Sequence, residues 1–121
     1  MNVEEQKIVE EIIQLYKELY KLTYEGSKGA HGAGLPSISH FIRYAEKIRD
    51  NVAILCYEFD SEVLSKSNLR DLDDVLCGYE MKELKVESKK MSEQKLMDRL
   101  ELVTNLIGIA IKPLLNLNKD I

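Results

Sequence analysis

The chain has 121 residues, of which 45% are hydrophobic and 31% charged, and carries a net charge of −4. That length fits one domain over residues 1–121 and suffices for a core without metal or disulfide staples. The acidic balance argues against nucleic acid as a partner, because phosphate recognition rests on a basic face and no segment here is a basic block.

Residues 3–24 read as a helix. Ile8, Ile12, Leu15, Leu19 and Leu22 recur at three- and four-residue steps, and Val9, Ile13, Tyr16, Tyr20 and Tyr24 form a second stripe. Together they cover more of the circumference than one surface helix needs. Glu4 and Glu5 near the start and Lys17 and Lys21 near the end suit the helix macrodipole. A glycine-rich loop, 26–36, follows and holds four of the six glycines together with Lys28, His31 and Pro36. Glycine stops a helix because it loses the most conformational entropy on being ordered.

A second helix is predicted over 38–65, capped by Ser37. Its apolar stripe runs Ile38, Phe41, Ile42, Ala45, Ile48, Val52, Leu55, Phe59 and Val63, with Cys56 on the same face. The Ser65–Asn68 cluster ends it and supplies the next cap. Leu69, Leu72, Val75, Leu76 and Tyr79 argue for a short helix over 68–84 that Gly78 weakens. Residues 79–90 have mixed periodicity and fit a helix, an extended segment or a charged loop, with helix favoured. The last helix, 93–112, has Ser92 as N-cap and a staple between Met91 and Leu96. Its main stripe is Leu96, Leu100, Val103, Ile107, Ala110 and Leu114, and a second comprises Leu102, Leu106 and Ile109. Pro113 ends or kinks this helix near Ile111.

The expected fold is therefore all-α: a small antiparallel bundle of about four helices joined by short connections. Cys56 and Cys77 are isolated in sequence, without a CxxC, and read as buried free thiols of a reducing compartment. The acidic N-terminal residues lack the apolar run of a signal peptide, and Leu102–Leu117 is too interrupted to cross a bilayer, so a cytoplasmic location is expected without membrane association.

Candidate chemistry centres on the glycine-rich loop and the start of the second helix. Glycine-rich turns and helix N-termini present free N–H groups to anions, and Lys28, His31, Ser37, Ser39, His40 and Arg43 supply further donors. No strand precedes the loop, and its spacing matches neither named phosphate-binding motif, so a simple hinge is favoured over an anion site. His31 and His40 lack partners at ligand spacing, and no metal or cofactor is expected. Asp71, Asp73 and Asp74 read as acids near a helix start rather than as cation ligands. No catalytic constellation emerges, so no enzymatic activity is expected.

The excess apolar surface supports an interaction or regulatory protein that self-associates, with a symmetric dimer as the default. Tyr16, Tyr20, Tyr24, Leu102, Leu106 and Ile109 are the expected interface residues; the identity of any other protein partner is open. The alternative is a binder of a phosphorylated or anionic small molecule at the loop and second-helix residues.

Overall fold

The computed structural model describes residues 2–24 and 38–117. The glycine-rich loop 26–36 and Ser37 lie outside them. The elements are α1 (Val3–Tyr24), α2 (Ile38–Tyr57), α3 (Lys66–Leu76), α4 (Tyr79–Glu87), a 3₁₀ turn (Ser88–Lys90), α5 (Glu93–Ala110) and the short α6 (Lys112–Leu115). No strand occurs among the described residues.

α1 has the predicted bounds. Asn2 starts it, its Oδ1 accepting from the Glu5 backbone N–H at 2.7 Å. Val9, Ile12, Ile13, Leu15, Tyr16 and Leu19 are all buried, so both apolar stripes serve the core over most of the helix. Only Tyr20, farther along the second stripe, is left exposed.

α2 ends at Tyr57 rather than at 65. Asp60 adopts a left-handed φ of 47°, and the Ser61 N–H reaches back to the Leu55 carbonyl at 3.1 Å. This reversal sinks Leu64 to 1% exposure. Burying a leucine is worth roughly 1.5–3 kcal/mol, more than another helical turn at the surface would return. The Cys56 thiol faces the same bend, 3.4 Å from the Ser65 carbonyl and 3.7 Å from that of Leu64.

Ser65 caps α3 reciprocally with Asn68. The Asn68 N–H donates to Ser65 Oγ at 3.3 Å, and the Ser65 N–H donates to Asn68 Oδ1 at 2.9 Å. The helix expected over 68–84 is instead two helices, broken at Cys77 and Gly78. A Cβ at Gly78 would stand 2.8 Å from the Asp74 carbonyl oxygen, so only glycine permits this close turn. The acidic trio is also displaced from its expected place. α3 begins at Lys66, which puts Asp71, Asp73 and Asp74 in its second half, where Asp73 pairs with Arg49 of α2 at 2.8 Å.

α4 resolves the mixed segment as helix followed by 3₁₀ turn, with Met81, Glu83 and Leu84 buried. Ser92 caps α5 by accepting from the Lys95 N–H at 3.2 Å. α5 stops at Ala110, and Pro113 sits in the first turn of α6, where its missing N–H costs nothing. α1 packs on α2, α5 and α6, while α5 also meets α3 and α4. One continuous cluster of buried side chains draws on all six helices of the described residues.

Candidate functional site

Of the six residues expected to bind an anion, Lys28, His31 and Ser37 lie outside the described residues. Ser39, His40 and Arg43 are exposed near the start of α2. Ser39 and Arg43 line an open groove of about 490 Å³ together with Ile42, Glu46, Lys47 and Asp50. Two cations and two carboxylates share that groove, so its formal charge cancels. Glu46 and Asp50 oppose an anion wherever Arg43 and Lys47 attract one. His40 does not line it.

The expected interface residues divide differently. Tyr16 is buried, and its hydroxyl donates to the Thr104 carbonyl at 3.2 Å, so it joins α1 to α5 rather than facing outward. Burial, and secondarily the neighbouring Tyr24 and Tyr20, push its phenol above the usual tyrosine range. Tyr20 is 46% exposed, and its ring stands 4.3 Å from that of Tyr24, tilted by 37°. The Tyr24 hydroxyl donates to Asn105 Oδ1 at 3.4 Å. Its phenol is also raised, first by partial burial and then by the Glu101 carboxylate, while the Asn105 bond works the other way.

On α5, Asn105, Ile109 and Leu102 fall within a narrow sector of the helical wheel. Ile109 is 67% exposed, while Leu102 and Leu106 are half-buried. The Tyr20–Tyr24 pair therefore adjoins, through Asn105, a flank of α5 that carries three apolar side chains.

Two arrangements were not anticipated. Glu83 of α4 is 5% exposed and sits 2.9 Å from Arg99 Nε and 3.6 Å from Lys95 Nζ, both on α5. The Arg99 N–H is not aimed at the oxygen, so the close contact is an ion pair without a hydrogen bond. The second is a cleft between the start of α1 and the α2–α3 connection, lined by Asn2, Glu5, Phe59, Asp60, Glu62 and Val63. Neither could be found from local spacing, because each joins residues far apart in the chain.

The cysteines behave unequally. Cys56 is buried, and burial pushes its thiol above the usual range, with Lys66 offsetting part of the effect. That is the wrong direction for a nucleophile. Cys77 is exposed, against the expectation of two buried thiols, because the chain turns out at the end of α3. Among the described residues, no three His, Cys, Asp or Glu side chains converge to hold a metal ion. Among the described residues, no helix is long and apolar enough to cross a membrane.

No protein-family model, curated protein or solved structure matches this chain.

Proposed function

We propose that this protein is a small non-enzymatic interaction module of the cytoplasm that self-associates through the α1–α5 seam. The observation that carries the reading is the pairing of Tyr20 and Tyr24, tied through Asn105 to the helix that exposes Ile109. Aromatic rings with polar tips, set next to exposed aliphatic side chains, are the composition of protein contact surfaces. The core is already filled from the six described helices without Tyr20 or Ile109, so neither is needed to complete it. Within the proposed arrangement α1 and α5 run antiparallel. Tyr16 near the middle of α1 faces Gly108 late in α5, whereas Tyr24 at the end of α1 shares a groove with Glu93, Met97 and Glu101. A two-fold axis would bring one seam against its copy and cover both tyrosine pairs.

Sedimentation equilibrium tests this directly. The wild type is expected to show concentration-dependent dimerisation that Tyr20→Glu with Ile109→Asp abolishes while helicity is retained. A strict monomer at millimolar concentration rejects the reading. The anion-binding alternative has one supporting feature, Arg43 and Lys47 on a single groove, and the acids in that groove place it second.

A further inference from the structure

The cleft at the opposite end of α1 has a charge pattern that the fold does not use. Three of its six lining residues are acids, Glu5, Asp60 and Glu62, and none of the six is a cation. Acids at the surface are ordinary, and acids in the first turn of a helix are favoured by its dipole. Glu5 differs from these in degree: the residue is 9% exposed, and it lines the cleft. Buried carboxylates are normally paired, because desolvating a charge without a partner is costly. Glu83, the other buried acid among the described residues, has Arg99 and Lys95 against it. Glu5 has no hydrogen bond or ion pair on its carboxylate among the described residues. Its own backbone N–H is taken by the Asn2 side chain.

The rest of the lining narrows the occupant. Phe59 and Val63 are half-buried and give the cleft an apolar wall. A volume of about 380 Å³ is the size of a small-ligand pocket rather than of a single ion. The carboxylates do not converge as a metal would require. A planar organic cation satisfies all of this. It gives carboxylates a forked set of donors and lies against an aromatic face with little desolvation penalty. We infer that this cleft binds a guanidinium group, with Glu5 as the anchor and Asp60 and Glu62 at the rim. The inference is independent of the α1–α5 seam, which lies at the other end of α1.

Amide shifts of the full-length chain, followed by NMR during titration with agmatine, test it. Saturable shifts are expected at Asn2, Glu5, Asp60 and Glu62, weakening as salt is added. Glu5→Gln keeps the shape, removes the charge, and should raise Kd by about tenfold. If that variant unfolds, Glu62→Gln, at an exposed position, serves in its place with a smaller increase. N-butylurea, a neutral relative of the same planar shape, should not bind. An arginine-containing tripeptide with blocked ends distinguishes sources: tighter binding than agmatine assigns the cleft to an arginine of a polypeptide, weaker binding to a free small cation. Absence of saturable shifts with both cations, equal shifts with the urea, or shifts unaltered by Glu5→Gln overturns the proposal.

Discussion

The Tyr16 hydroxyl lies directly against Gly108, close enough that a Cβ there would overlap it and stand 3.2 Å from the ring Cζ. The same hydroxyl donates to the carbonyl of Thr104, one turn earlier on α5. A glycine in a helix interior costs about 1 kcal/mol relative to alanine, so this close approach is what the glycine supports.

Gly108→Ala sets that propensity gain against overpacking, which costs typically 1–3 kcal/mol in a filled site. We expect net destabilisation of about 1 kcal/mol in urea unfolding. In a Tyr16→Phe background the obstructing oxygen is gone, and the same substitution should become neutral or stabilising. The coupling between the two positions is the readout. Additive effects would show that Tyr16 does not constrain Gly108.

The two acid–arginine pairs should differ in worth. Arg49 holds Asp73 through Nε at 2.8 Å and Nη2 at 3.4 Å, with both side chains well exposed. Such pairs contribute about 0–1 kcal/mol, and added salt weakens them further. Arg99→Met instead leaves the 5% exposed Glu83 with only Lys95, at 3.6 Å. We expect it to cost more than Arg49→Met, by roughly 1–2 kcal/mol, because the residual charge is buried. Equal losses in chemical denaturation would mean that water reaches Glu83.

Thiol chemistry should separate the cysteines. Cys77 is exposed, whereas Cys56 is buried with its proton held between two carbonyls. Titration of the native protein with Ellman's reagent at pH 8 should show one fast thiol, absent in Cys77→Ser. The second should appear only on unfolding. Two fast thiols in the native protein would contradict the bend that covers Cys56.

These tests fall where local and distant determinants part company. The start of α5 was legible because Ser92 and its first-turn neighbours act within four residues. The end of α2 was not, because an uninterrupted apolar spacing through Phe59 and Val63 gives no sign of the reversal at Asp60. The gain that drives it is burial of Leu64 against other helices. Glu83 was hidden in a segment without clean periodicity, since its two cationic partners come from α5. The candidate site was legible to a similar depth. Spacing put Tyr16, Tyr20 and Ile109 together at one expected interface; Tyr20 and Ile109 are exposed, but Tyr16 is buried against a glycine on another helix. The start of α2 exposes Ser39 and Arg43, yet the Glu46 and Asp50 carboxylates one and two turns on neutralise their groove.

Alkaline pH should find the α1–α5 seam first. Burial raises the phenols of Tyr16 and Tyr24 above the ordinary value of 10.0, and Glu101 adds to the effect on Tyr24. A raised folded-state pKa means that the folded protein keeps these protons while the unfolded chain releases them. The stabilising contribution is therefore complete below pH 10 and is lost as the pH climbs from there through the folded-state values. The Cys56 thiol, raised above 9.0, acts with the same sign. Tyr16→Phe isolates the tyrosine part, because Cys56 contributes equally to both proteins. We expect the urea midpoint of the wild type to fall more between pH 9 and pH 11 than that of Tyr16→Phe. Absorbance at 295 nm should show the last of the six tyrosines titrating only as the protein unfolds, and that late fraction should shrink in Tyr16→Phe. Equal midpoint losses in the two proteins would mean that the Tyr16 phenol ionises as freely in the fold as in the unfolded chain. That would contradict its burial between α1 and α5.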